Sequence, residues 1–384
     1  MLMAGSVVSK YWGVYLNQFF ELIGWNINTN IAIGSFNFDL APVIIVAFFT
    51  ALLVMGTKIG ARVDGALTIL KIAIVVFIVV VGFFYIKAEN FTPFIPPSEP
   101  AASTDGSGVS AVMEQPLWQW ATGMAPSIYG VTGIISGAAL VFFAFLGFDV
   151  VATASEETIN PKKNVPLGIG VGLGLIIVLY TLVAIVTTGM VSYKDLAKQS
   201  DPSLAVAFKM VGADWAAKII SLGIVIGMAT VVMVLLLGLT RVVFAMSRDG
   251  LLPRGLSHTG KHGTPVRLQI IVGVVMALIA ACCNVGILSD MVNIGTLSAF
   301  TLVAISIPIM RKKRPDLERS FKIPGNPWVP ILIAIANLWL MVNLSVLTWI
   351  RFVVWLIVGF AIYFGYGYRH ARLGAGELEV AAQE

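Results

Sequence analysis

Four ionisable side chains sit in sequence that otherwise reads like lipid. Asp149 follows the run VFFAFLGF, and Glu156 and Glu157 come next, just ahead of Asn160-Pro161-Lys162-Lys163. Lys71 interrupts DGALTILKIAIVVFIVVVGFF. An ionisable group near the bilayer centre costs roughly 2.5–3.5 kcal/mol on insertion scales, so such residues face a water-filled cavity, a bundle interior or one another. A lysine placed there can carry protons. Burial disfavours the ammonium form, so its pKa falls toward the physiological range as the site dries. A site that alternates between wet and dry then binds and releases a proton. Lys71 lies seven residues past Asp64, about 10 Å along a helix, too deep to reach the interface comfortably. The other reading is a structural lysine that caps the carbonyls of a broken helix.

These residues need elements that hold them at depth. The chain of 384 residues is 58% hydrophobic and 12% charged, against about 25% charged in soluble domains. Its apolar residues come in blocks long enough to cross roughly 30 Å of hydrocarbon as helices. The blocks lie near 1–24, 38–56, 65–87, 131–155, 166–190, 214–246, 266–287, 290–310, 328–348 and 350–368. Ten transmembrane helices are expected, and the ~10-residue alternation of a membrane β-barrel is absent. Cys282 and Cys283 are expected to be small packing residues inside one block. The three histidines have no ligand spacing, and neither a glycine-rich nucleotide cradle nor a nucleophile–base pair is present. Enzyme chemistry and a cofactor are therefore not expected.

Sixteen of the 25 basic residues fall in alternate loops and the tail: Lys58 and Arg62; Lys162 and Lys163; Arg248, Arg254, Lys261 and Arg267; Arg311 to Arg314, Arg319 and Lys322; Arg369 and Arg372. That side is expected to be cytoplasmic, with the C-terminus on it. The positive charge is a topology signal and does not call for nucleic acid. The Pro-, Ser- and Gly-rich segment 88–130 is then outside and reads as irregular. Its sequon Asn90-Phe91-Thr92 is read as a chance match. Lys10 and Arg241 also lie within spans. Arg241 reads as structural, and Lys10 as either an interior group or a packing-seam residue.

The run from Val131 to Thr158 is too long for one straight crossing, about 42 Å as a continuous helix. Two readings stand. One is an intact tilted helix whose glycines allow close packing. The other is a break around Phe143–Gly147, which frees backbone N–H and C=O groups that are tolerated only where they line a cavity or are buried in protein. The paired helix ends would suit a zwitterion.

The stretch FFAFLGFDVVATASEETINPKKNVPLGI resembles the sixth-helix signature of the cationic amino acid transporter family, within the amino acid–polyamine–organocation superfamily. The segments TILKIAIVVFIVVVGF, RVVFAMSRDGLLP and VNIGTLSAFTLVAISIPIMRKKRPD are similar to its fifth helix, the loop after its eighth and its tenth helix. The resemblance implies an all-α polytopic membrane protein with a 5+5 inverted-repeat transporter fold plus two C-terminal helices. The ten blocks would be helices 3–12. Residues 1–87 would be what remains of the first repeat, 88–130 an extracellular loop, and 131–310 the second repeat. Residues 311–384 would hold a cytoplasmic loop, helices 11 and 12 and a short tail. It further implies an N-terminal truncation, with helices 1 and 2 and a glycine-rich break of the G-x-G-I-F type expected upstream.

Carried over residue by residue, the resemblance makes Phe143 the aromatic that covers the substrate, flanked by Phe142 and Ala144. Phe145, Leu146 and Gly147 would supply unwound backbone. Asp149 would sit near the substrate amino group, Lys71 would be the proton-coupling lysine, and Glu156 and Glu157 cytoplasmic gate or structural residues. The implied activity is secondary active, proton-coupled amino acid permeation across the plasma membrane by alternating access. The partners would be the amino acid, a proton and the bilayer. Sodium coupling, proton-independent exchange, and an inactive fragment or membrane scaffold are the rival expectations.

Overall fold

The computed structural model describes residues 1–25, 29–33, 36–55, 61–100, 109–125, 127–148, 151, 158–199, 202–258, 265–316, 319 and 322–371. Helices dominate, and they match the apolar blocks. The long ones are α1 (Leu2–Leu22), α2 (Leu40–Val54), α3 (Ala61–Phe83), α6 (Gly130–Val141), α7 (Pro161–Met190), α10 (Asp214–Arg248), α11 (Val266–Cys282), α12 (Val285–Lys313), α13 (Trp328–Val342) and α14 (Val346–Ile362). Among the described residues, five helical stretches, beginning at Gly65, Pro161, Asp214, Val285 and Val346, are long and apolar enough to cross a membrane. Large apolar side chains such as Val354, Trp355, Ile357 and Phe360 of α14 point outward and stay exposed. Water would reject such a surface, whereas lipid is its natural solvent.

Two expectations are corrected. The segment 88–130 is not wholly irregular. It holds the short helices α4 (Val109–Glu114) and α5 (Leu117–Thr122), and strands β3 (Glu99–Pro100) and β4 (Ser127–Ile128) pair in it. Backbone bonds outweigh its Pro-rich composition, because buried N–H and C=O groups must find partners. Ahead of α2, β1 (Asn30–Ile33) and β2 (Phe36–Asp39) form an antiparallel hairpin with Asn30 opposite Asp39. Second, the cysteines are not inside a helix packing layer. α11 stops at Cys282, which is exposed, and Cys283 is extended (ψ 150°) and half-buried.

The chain forms two compact units. The first comprises 1–94, 174–285 and 364–384. Here the small residues Ala4, Gly5, Ser6 and Ser9 of α1 are buried, and α1 packs on α10 and α11. Polar side chains tie these helices to one another's backbones. Ser6 donates to the Met276 carbonyl at 3.1 Å, and the Trp12 indole donates to Val225 at 3.0 Å. The Lys10 ammonium donates to the Cys283 carbonyl at 2.6 Å. A cation at the C-terminal end of α11 satisfies an orphan carbonyl and opposes the helix dipole, which makes Lys10 a seam residue. Asn90 of the sequon donates to Gly189 at 2.7 Å and closes the end of α7.

The second unit comprises 95–173 and 286–363. Its core gathers Ala139, Ile294, Leu297, Met341 and Leu344. The turn between α13 and α14 is fastened to the α4–α5 corner: Leu117 N–H donates to the Leu344 carbonyl at 3.0 Å, and Val346 N–H to Gln115 at 3.1 Å.

Candidate functional site

The helix over the opening motif does break. α6 ends at Val141 and tightens into a 3₁₀ turn at Phe142–Phe145. Leu146 is then extended (φ −65°, ψ 144°), and Gly147 takes φ +120°. That value lies where an L side chain is strained, so glycine is needed for its conformation. Space is not the reason, since a methyl added at Gly147 would meet nothing within 4 Å. The continuous-helix reading is thereby excluded for Phe142–Gly147, where the backbone leaves the α-helical hydrogen-bonding pattern.

Neighbouring helices hold the break. Asn293 of α12 is fully buried, and its amide donates to the Leu140 carbonyl at 3.2 Å, just ahead of the break. Its Oδ1 has no partner among the described residues. Phe300, two turns on, brings its ring to 6.1 Å from Phe142 and 5.1 Å from Phe148. Phe142 also packs against the core of its unit, as a wall residue would. Phe143, Phe145 and Leu146 are half-buried, while Ala144 is exposed. Asn293 and Phe300 were missed by sequence reasoning. A buried asparagine and an aromatic seven residues apart on one helix face were the available signal.

Lys71 lies on α3 in the other unit, half-buried. Its stem crosses α10 at Gly227, where a methyl would come within 3.3 Å of Lys71 Cγ. One turn on, Ile74 sits over Gly223, with Cδ1 at 2.5 Å from that hypothetical methyl. Gly223 and Gly227 form a small-xxx-small pair, the motif that lets membrane helices approach closely. It was readable in the sequence and went unused. Asp149, Glu156 and Glu157 lie outside the described residues.

Residues 2–365 match the family model described as amino acid permease. The chain belongs to the amino acid permease family. It is therefore a multi-pass membrane transporter of amino acids and not an enzyme. Among relatives of this family, the chain is 38% identical to the branched-chain amino acid permease BcaP of Bacillus subtilis (strain 168), over 97% of this chain and 75% of the relative. It is 38% identical to the methylthioribose transporter of the same organism, again over 97% and 75%. Cationic amino acid transporter 4 of Homo sapiens is 26% identical over 98% of this chain and 74% of its own length.

Proposed function

We propose that this permease is a proton-coupled amino acid symporter of the plasma membrane, working by alternating access, with its C-terminus in the cytoplasm. Residues 1–87 and 131–310 would belong to the two inverted repeats. The observation that carries the reading is the break at Phe142–Gly147. Its non-helical backbone would turn N–H and C=O groups toward the carboxylate and ammonium of an amino acid, and Asp149 would complete the amino-group site. Phe143 would cover the bound substrate, with Phe142, Ala144, Phe145 and Leu146 around it. The aromatic wall of Phe142, Phe148 and Phe300 suits an apolar side chain, in keeping with a relative named for branched-chain amino acids. Lys71 would carry the proton, its stem held against Gly227 and its ammonium neutral in one state of the cycle and charged in another. Glu156 and Glu157 would act at the cytoplasmic end as gate or structural residues.

The test is uptake of labelled leucine into liposomes, with and without an inward acid gradient. Lys71→Ala is expected to abolish gradient-driven accumulation while leaving leucine binding in place. Lys71→Arg is expected not to rescue it, because a guanidinium stays protonated at accessible pH. If either variant concentrates leucine to the unmutated level, Lys71 is not the proton site and the coupling reading falls.

A further inference from the structure

The last three turns of α12 carry two kinds of exposed side chain on one face. Leu302, Ile305 and Ile309 are exposed, and so are Lys312 and Lys313. Steps of three and four residues place all five on one side of a helix, which runs on through Pro308. From Leu302 to Lys312 is about 15 Å at 1.5 Å per residue. That is the depth of one leaflet of a hydrocarbon core roughly 30 Å thick. The face is thus a strip of lipid-facing surface that ends in cations at headgroup level.

The end of the strip is a built corner. Arg311, Lys312, Lys313, Arg314, Arg319 and Lys322 fall in one short stretch with two acids, Asp316 and Glu318. Two of these cations are turned onto backbone. Arg311 donates to the Ile323 carbonyl at 3.2 Å, and Arg319 to the carbonyls of Met310 at 3.3 Å and of Arg314. Such bonds satisfy carbonyls at a helix C-terminus and draw the following segment back over it. Lys312, Lys313, Arg314 and Lys322 are exposed instead, and their side chains have no hydrogen-bond or ion-pair partner among the described residues. Trp328, which opens α13, is 72% exposed, as tryptophans at a membrane–water interface are.

The preference of one membrane side for lysine and arginine accounts for how many cations lie here. It does not account for their register, because cations on any face of α12 would serve it equally. A lipid with an anionic headgroup uses both halves of the strip, the apolar side chains for an acyl chain and the cations for its phosphate. A free anion has no use for the apolar half. We propose that this face of α12 binds one anionic phospholipid, with an acyl chain along Leu302, Ile305 and Ile309 and the phosphate held by Lys312 and Lys313. A lysine's long stem lets its ammonium reach the phosphate from the apolar strip, and Arg314 and Lys322 add to the attracting field. None of the residues assigned to the break or to proton coupling takes part.

The experiment takes the full 384-residue chain in detergent micelles and measures bound lipid by native mass spectrometry. The probes are dioleoyl phosphatidylglycerol and dioleoyl phosphatidylcholine, which share acyl chains and phosphate and differ in net charge. Phosphatidylglycerol is expected to saturate one site, and to bind the double variant Lys312→Gln/Lys313→Gln about tenfold or more weakly. Lys162→Gln/Lys163→Gln removes the same charge from exposed positions at the start of α7 and should bind as the unmutated chain does. Ile309→Asn leaves every cation in place and should also weaken binding, through the apolar half alone. Glycerol 3-phosphate, the same kind of anion without acyl chains, should not displace the lipid. Equal binding of the two lipids, equal loss in the two double variants, unchanged binding by Ile309→Asn, or displacement by glycerol 3-phosphate overturns the proposal.

Discussion

Several glycines inside the long helices of the two units meet different surroundings. In the first, glycine marks close approach. A methyl at Gly82 would run into Val186, lie 2.7 Å from Met190 Sδ and 3.2 Å from Phe208, and one at Gly189 would lie 2.8 Å from Phe91. Gly223 and Gly227 admit Ile74 and Lys71 in the same way. In the second unit Gly137, Gly147 and Gly295 meet nothing within 4 Å, and Gly133 only a backbone carbon at 3.8 Å. One unit spends its glycines on tight helix packing, which leaves little room for alternative arrangements. The other spends them on backbone freedom and open volume, the properties needed by a segment that receives a ligand and changes shape.

The sharpest way to break this contrast is a matched pair of substitutions. Gly82→Leu is expected to overpack the Val186–Met190–Phe208 layer and to cost about 3 kcal/mol, read as loss of monodisperse protein and a lowered unfolding temperature in detergent. Gly137→Leu adds the same side chain where there is room, and should leave both readouts close to unmutated. Equal damage from the two would mean that the glycines of the second unit are also packing residues.

A smaller effect is expected at the break itself. Gly147→Ala keeps the space but forces a side chain into φ +120°, a strain of roughly 1–3 kcal/mol. Leucine uptake should fall while folded yield is kept. Unchanged uptake would show that the extended–left-handed sequence at Leu146–Gly147 is dispensable.

The smallest expected effect lies in the hairpin before α2. Asp39 caps that helix, accepting from Ala41 N–H at 3.3 Å. Burial raises its carboxyl above the ordinary value, opposed by the Ala41 N–H, the Lys10 charge and the Thr29 hydroxyl. The folded protein thus holds this proton more tightly than the unfolded chain does. The associated stability is present below the ordinary carboxylate range and is lost as pH rises through the raised value. Asp39→Asn keeps an oxygen for the cap and should flatten the acid-side slope of unfolding temperature against pH. A slope identical to the unmutated protein's would remove Asp39 as its source.

Much of the molecule was legible before any coordinates. Each of the ten apolar blocks holds a long helix among the described residues, because in lipid a backbone has few other ways to satisfy its own hydrogen bonds. Gly147 amid Phe142, Phe143 and Phe145 marked where a break could fall, since glycine among bulky residues gives up packing for conformational range, but an intact tilted helix fitted the same residues. The family resemblance read from the stretch around Phe142–Gly147 agrees with the match of residues 2–365 of the chain to the amino acid permease family model. What the sequence could not decide was every relation between residues far apart along the chain. Lys10 could not be recognised as the cap of α11, because its partner Cys283 is 273 residues away. Asn293 and Phe300 looked like ordinary positions of one helix until folding set them beside Leu140, Phe142 and Phe148. Glu114, Asp290 and Asn343 line one pocket although they come from three segments with no shared pattern. Periodicity and local conformational preference are written along the chain, so sequence alone determined the helices and where one of them could break. Which side chains meet across helices is settled only when the backbones pack, and tertiary structure alone decided that.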